Sequence, residues 1–287
     1  MRAVGGGPVR RWGVRSGDIW LAGTDRGTGD PVVLLHGLAS THRWWDLVAP
    51  RLRGFRVVRF DQRGHGGSGA TPDGYDLEHL VADVRAVLDG LEIDRAVLAG
   101  HSLGAAVALR VAATFPERVT ALACVEGGVY DPRLLFGPTW EQARTVMVRP
   151  SRGRITVAVL RAWLAGTDLP EAALPAVLAN YTGAGPDGAL RLRLAPSAAE
   201  QLARDLWHQD PVPLVKAVRV PVLVLAARQG DAGQDEPRRA SVERARELLG
   251  QLLSVGWVAG GHELPLEHPD RVAGALAALA ARVPHPA

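Results

Sequence analysis

Apolar positions along this chain follow two periods. Short continuous runs occur at Pro31–His36 (PVVLLH), Phe55–Asp61, Arg95–Ala99, Val119–Val125, Val220–Ala226 and Leu253–Ala259. Such runs predict strands buried on both faces. Val9–Val14 and Asp18–Ala22 read as an N-terminal strand pair. Between the runs the period changes. From Asp76 to Leu91 the apolar residues Leu77, Leu80, Val81, Val84, Val87, Leu88 and Leu91 share one face of a 3.6-residue helix. Strands alternating with helices predict an α/β fold, with a mostly parallel eight-stranded sheet covered on both faces. The alternation breaks once. Tyr130 to Pro213 holds helix-like stretches, prolines and the aromatics Trp140, Trp163, Tyr181 and Trp207, but no strand pattern. Breaker residues flank it at Gly127–Gly128 and Pro211–Pro213. The expected organisation is a core domain in two parts, 1–129 and 214–287, with a helical insertion over 130–213.

Composition narrows the classes. The chain has 287 residues, 47% of them hydrophobic, enough to bury a large core. Its formal net charge is only +3, and its arginines are scattered among carboxylates. No basic run with interleaved aromatics is present, so a nucleic-acid partner is not expected. Lys216 is the single lysine, and no phosphate-binding G-x-x-x-x-G-K-[ST] loop exists. The one cysteine, Cys124, lies in an apolar run and reads as a small buried hydrophobe. Met1–Asp18 has no apolar stretch of signal-peptide length, and no run reaches the ~18 apolar residues of a membrane span. The expectation is a cytoplasmic protein acting on a small molecule, with no cofactor and no metal.

The strongest chemical signal is Gly100-His101-Ser102-Leu103-Gly104. It follows the strand-like run Arg95–Ala99 and opens the helical run Leu103–Phe115, the strand–turn–helix setting of a G-x-S-x-G nucleophile elbow. A serine on so sharp a turn needs small neighbours, and Ala105 and Ala106 extend the small surface. The strand Pro31–His36 runs directly into His36-Gly37-Leu38. Acyl transfer needs two N–H donors aimed at the developing oxyanion, and Leu38 and Leu103 are the candidates. An ordinary turn after a strand would give the same His-Gly pair.

A serine needs a base. His262, in Ala259-Gly260-Gly261-His262-Glu263, follows a late strand and can be carried over a serine presented by an earlier one. His36, His65 and His101 sit in glycine-rich turns and read as loop-orienting residues. His79 is on a helix's polar side, His208 is in the insertion and His285 is in the tail.

Taken together, HGLAS (His36–Ser40), FDQRGHGGSG (Phe60–Gly69), GHSLGAAVAL (Gly100–Leu109) and GGHELPLEHPD (Gly260–Asp270) resemble the cap-bearing members of the α/β-hydrolase superfamily. The resemblance covers roughly Ile19–Val125 and Val220–Val283. It implies that the insertion is a helical cap over the active site, and that nucleophile, acid and histidine follow in that chain order. It gives Asp61, Arg63 and Gly66 a structural part. For the acid it implies a position just after Val220–Ala226, where the chain reads Ala227-Arg228-Gln229-Gly230-Asp231. The family's usual Gly-Glu-x-Asp form is missing there. Asp231 is the first choice, Asp235 the second, and Glu126 the third because some relatives place the acid after the preceding strand.

The function expected from these features is an esterase-like serine hydrolase, cleaving an ester, thioester or lactone of a small, mainly apolar substrate. His36, Trp140, Trp163 and Trp207 are pocket candidates, although the tryptophans could equally form the insertion's own core. The same residues would serve C–C hydrolysis, perhydrolysis, lyase chemistry or acyl transfer. A noncatalytic small-molecule receptor or scaffold is the remaining alternative.

Overall fold

The computed structural model describes residues 8–148, 154–183 and 188–282. The first part of the chain forms β1 (Arg10–Ser16), β2 (Ile19–Arg26), β3 (Pro31–Leu35), β4 (Arg56–Phe60), α1 (Leu77–Gly90), β5 (Ala96–His101), α2 (Leu103–Thr114) and β6 (Val119–Val125). There follow α3 (Pro132–Phe136), α4 (Trp140–Met147), α5 (Val157–Ala165), α6 (Leu174–Ala179), β7 (Tyr181–Thr182), β8 (Arg191–Leu192), α7 (Pro196–His208) and α8 (Pro211–Ala217). The chain then returns through β9 (Val222–Arg228), α9 (Ala232–Leu249), β10 (Leu253–Ala259), α10 (Leu264–Glu267) and α11 (Pro269–Ala280).

Eight strands form one sheet in the order β1-β2-β4-β3-β5-β6-β9-β10. β1 and β2 are antiparallel to their neighbours, and every other pairing is parallel. The continuous apolar runs thus become strands, buried on both faces in the sheet interior, whereas Leu253–Ala259 forms the edge strand β10 and is mostly half-buried. Their period of two divides the core. Val33, Leu35, Val58, Leu98, Leu122 and Val224 pack on the face carrying α1 and α2. Val32, Leu34, Val57, Val97, Ala123 and Leu225 pack on the face carrying α11. α1 begins where Asp76 accepts the His79 N–H at 2.8 Å, a side-chain cap ahead of the periodic face.

Between β6 and β9 the described residues are mainly helical, and they depart from the sequence reading where β7 and β8 pair as a short antiparallel ladder. Two residues per strand give too little alternation to be seen in sequence. α5 and α6 close over Trp44 and Leu266 through Leu160, Leu164, Leu174 and Val177. α8 packs on α2 of the sheet layer, so residue 213 lies inside a helix that contacts the core. Cys124 is fully buried, and that burial pushes its thiol up to about 12.

The connections leave β3 toward β4 on one side and β5 toward β6 on the other. Where connections diverge in this way, a crevice opens outside the carboxyl ends of the strands. His36-Gly37 and Ser102 follow β3 and β5 at that point. Close backbone approach there depends on glycine: a Cβ on Gly104 would lie 2.6 Å from the His36 carbonyl oxygen. Backbone cannot yield as a flexible side chain can. Gly104→Val should therefore cost ~1–3 kcal/mol by overpacking, a fall in Tm of about 2–5 °C by thermal melting for a chain of this length. An unchanged Tm would show that this approach is not a constraint.

Candidate active site

Ser102 stands between β5 and α2 with φ 54° and ψ −119°, a left-handed conformation that a non-glycine residue holds only when its surroundings compel it. The glycines show how. A Cβ on Gly127 would lie 2.6 Å from the Ser102 carbonyl oxygen, and one on Gly37 would lie 3.2 Å from the Ser102 Cβ. The Gly37 backbone thus runs directly alongside the serine. Leu103 is the first residue of α2, where N–H groups have no partner within the helix.

His262 follows β10, and its Nδ1–H donates to Glu126 Oε2 at 3.2 Å. Glu126 follows β6 and is buried, with a left-handed φ of 49°. Its Oε1 also accepts the Ala227 N–H at 2.6 Å and the Tyr130 hydroxyl at 2.9 Å. Its Oε2 accepts Arg238 Nε–H at 3.2 Å as well. Burial by itself would raise this carboxyl; the hydrogen bond to His262 and the charge of Arg238 outweigh that and hold it below the usual range. Burial likewise lowers His262, but the Glu126 bond and the nearby Glu263 carboxylate raise it above the usual imidazole range. The neighbouring His101 packs against the His262 ring at 4.8 Å and donates from Nε2 to the His262 carbonyl at 2.8 Å.

Ser102, Glu126 and His262 line one cavity of about 600 Å³. Its apolar wall comes from Leu134, Leu135, Phe136, Val146 and Leu206, and Gln209 and Arg238 add polar groups.

The structure does not bring Asp231 or Asp235 to His262. Asp231 caps α9, accepting the Gly233 N–H at 2.8 Å from an exposed position. Asp235 is buried but spends its oxygens on the Gln229 and Gly230 N–H groups at 2.9 and 3.2 Å. Both serve the turn from β9 into α9. The carboxylate at His262 is Glu126, the third choice, which the family resemblance offered because some relatives place the acid after the preceding strand.

The expected pocket residues also lie elsewhere. The His36 ring is buried behind the loop, where Nε2 accepts the Gln62 N–H at 3.0 Å. Trp140 and Trp207 pack on each other at 6.2 Å, and Trp207 donates to the Gly137 carbonyl at 3.0 Å. Trp163 is 47% exposed on α5. His79 pairs with Asp76, His208 donates to the Arg204 carbonyl, and His285 lies outside the described residues. Sequence reasoning missed Tyr130 and Arg238 as partners of the acid, and His42, whose N–H and Nδ1–H both donate to Asp61. Among the described residues, no cluster of three or more histidine, cysteine or carboxylate side chains could hold a metal, and no helix is long and apolar enough to cross a membrane.

The chain belongs to the α/β-hydrolase-fold family, whose model matches residues 30–269. It is 29% identical over 216 residues to the 2-(acetamidomethylene)succinate hydrolase of Mesorhizobium japonicum, covering 73% of this chain and 74% of that protein. A crystal structure of an E-2-(acetamidomethylene)succinate hydrolase superposes with a TM-score of 0.79 at 25% identity, over 96% of this chain and 100% of that one. The AB hydrolase superfamily protein YisY of Bacillus subtilis is 40% identical over 88 residues, 30% of this chain and 33% of that protein. Matches to several such curated relatives span about a third of the relative's length.

Buried histidines make stability depend on pH. Burial holds His36 at about 3, and His65 and His101 at about 4. All three are therefore neutral when folded and take up a proton near pH ~6.5 when unfolded. Stability is full above that pH and falls as the pH drops toward 4, by about 2 kcal/mol per histidine at pH 5. Urea unfolding at pH 7.5 and pH 5 should show a lower midpoint at pH 5. His262, raised in the folded state, works in the opposite sense, and equal midpoints would mean that the neutral burial of these three rings does not outweigh it.

Proposed function

We propose that the protein is a serine hydrolase that cleaves an ester-like acyl bond of a small, mainly apolar substrate through an acyl-enzyme. Ser102 is the nucleophile, His262 the base and Glu126 the acid. The observation that carries this reading is a strained serine sharing a cavity with an imidazole whose Nδ1 is tied to a buried carboxylate. That bond fixes the tautomer, leaving Nε2 to take the Ser102 proton as Oγ attacks the acyl carbon. The N–H groups of Leu38 and Leu103 hold the oxyanion. His262 then returns its proton to the leaving group and activates the water that releases the acyl chain. Glu126, kept ionised by its donors, stabilises the imidazolium that forms in each half-reaction.

The apolar wall of Leu134, Leu135, Phe136, Val146 and Leu206 supports a mainly apolar substrate, and about 600 Å³ suits a small ligand. Helices α3, α4 and α7 supply part of that wall, so we assign the segment 130–213 as a cap. A relative matched over about three quarters of both chains is named as a hydrolase, which supports hydrolysis as the reaction.

A fluorophosphonate probe tests the nucleophile. Peptide mapping should find one adduct, on Ser102, absent in Ser102→Ala and His262→Ala. A folded protein that admits the probe yet gains no adduct would overturn the reading in favour of a binding role.

The acid has its own test. Glu126→Gln should lower kcat by ~10³–10⁴, while Asp231→Asn should stay within about threefold of the parent. The reverse order would return the acid to Asp231. His262 must be neutral to act as a base, so kcat/KM should rise with pH through a value above the ordinary imidazole pKa. Losing the carboxylate charge should move that limb to lower pH in Glu126→Gln. A limb that stays in place would remove Glu126 from contact with the base.

A further inference from the structure

The proposed oxyanion hole needs the Leu38 N–H at a fixed point, yet Leu38 lies in a loop, outside strand and helix. The hydrogen bonds around that loop identify what fixes it. Residues 36, 39 and 42 are each tied to the segment 61–67. The His36 Nε2 accepts the Gln62 N–H at 3.0 Å, His65 Nε2 accepts the Ala39 N–H at 3.1 Å, and Asp61 Oδ1 accepts the His42 N–H at 2.7 Å. The middle tie is adjacent to Leu38. It also holds the residue under strain, since Ala39 has a φ of 56°. The Ser40 N–H also donates to the Gly37 carbonyl at 3.3 Å and closes this turn on itself, but His65 is the acceptor that anchors its middle peptide to the segment 61–67; without that anchor the Leu38–Ala39 unit can turn.

We infer that His65 is a positioning residue for the oxyanion hole: its Nε2 holds the Ala39 N–H and thereby sets the Leu38 N–H beside Ser102. The inference rests on the serine-hydrolase reading for its catalytic consequence, although the tie itself does not.

The ring's role is defined at both nitrogens. Nδ1–H donates to the Arg63 carbonyl at 2.9 Å, so Nε2 carries no proton and is an acceptor. The ring is buried and edge-on to His36 at 4.9 Å, which leaves it one orientation. A carboxamide can copy one nitrogen of an imidazole but not the other. Glutamine places its amide oxygen near the Nε2 position, whereas asparagine reaches only the Nδ1 position. The matched pair His65→Gln and His65→Asn thus changes the position of the acceptor while both keep an amide.

His65→Asn should lower kcat ~10–100-fold with KM within about threefold, because an oxyanion donor acts on the transition state more than on bound substrate. Affinity for a trifluoromethyl ketone, which forms a tetrahedral oxyanion on the serine, should fall by the same factor. His65→Gln should restore both to within about fivefold of the parent. Amide hydrogen exchange over residues 37–41 should accelerate in His65→Asn and be near the parent's rate in His65→Gln. A folded His65→Asn with parental kcat and exchange overturns the inference, as does a fall in kcat that tracks Tm equally in both variants. If His65→Asn does not fold, His65→Gln decides: parental kcat and exchange support the tie, and a tenfold loss in the folded variant refutes it. Faster exchange without any turnover or phosphonate adduct in the parent would retain the tie and remove the serine-hydrolase reading instead.

Discussion

A single buried carboxylate binds together the parts of the chain that form the site. Glu126 follows β6 directly, and its two oxygens take donors from Ala227 in β9, from Tyr130 in the segment after β6, from Arg238 in α9 and from His262 beyond β10. Four donors match the roughly four lone-pair positions of an ionised carboxylate. Removing one would leave a buried charge short of a partner, which costs far more than an ordinary hydrogen bond contributes. The arrangement therefore resists piecemeal change. It also ties the His262 ring, at Nδ1, to the carboxyl end of β6, which constrains where its second nitrogen lies.

Strain is distributed on the same plan. Of the described non-glycine residues with positive φ, Ser102 and Glu126 each lie immediately past the carboxyl end of a strand that borders the crevice, and Ala39 lies in the loop that follows a third, four residues beyond the end of β3. β3, β5 and β6 are adjacent in the sheet, with parallel ladders through Leu34, Ala99 and Ala123. A rigid ladder can support a costly residue at its end because the strand cannot shorten or slip to relieve it. Gly37 and Gly127 then bring the neighbouring backbone against Ser102. The sheet acts as a frame whose ends hold conformations that an isolated loop would abandon.

This division explains what could be read from sequence. The strands were legible because burial on both faces writes itself as continuous apolar runs, and α1 because its face repeats every 3.6 residues. The tight strand–turn–helix at Ser102 was legible because such a turn demands small residues, Gly100 and Gly104, on both sides within five positions. The partner of His262 was not. Glu126 is 136 positions away, and the choice among carboxylates was decided by how the loop after β9 spends its own. Asp231 and Asp235 are consumed by the start of α9, a use that a short loop with two aspartates does not reveal in advance. The tryptophans were ambiguous for a related reason. Trp207 buries its ring and gives its N–H to Gly137, so an aromatic in a small helical layer served that layer's own packing.

Among the histidines, one residue type is driven in opposite directions by its partners. His36 and His65 each accept a backbone N–H at Nε2, an interaction open only to a neutral ring, and burial reinforces that state. His262 donates to a carboxylate, an interaction that favours the charged ring, and it is raised. A loop that must hold a fixed geometry is therefore supported by imidazoles that do not titrate near neutral pH. A proposed base that must gain and lose a proton is paired with the charge that makes the gain possible. Acid weakens both arrangements from different sides: it puts a proton on His262 first, and only at lower pH would it put one on the rings behind the oxyanion loop. Loss of activity on the acid side thus precedes loss of the loop, and the order follows from which kind of acceptor each ring was given.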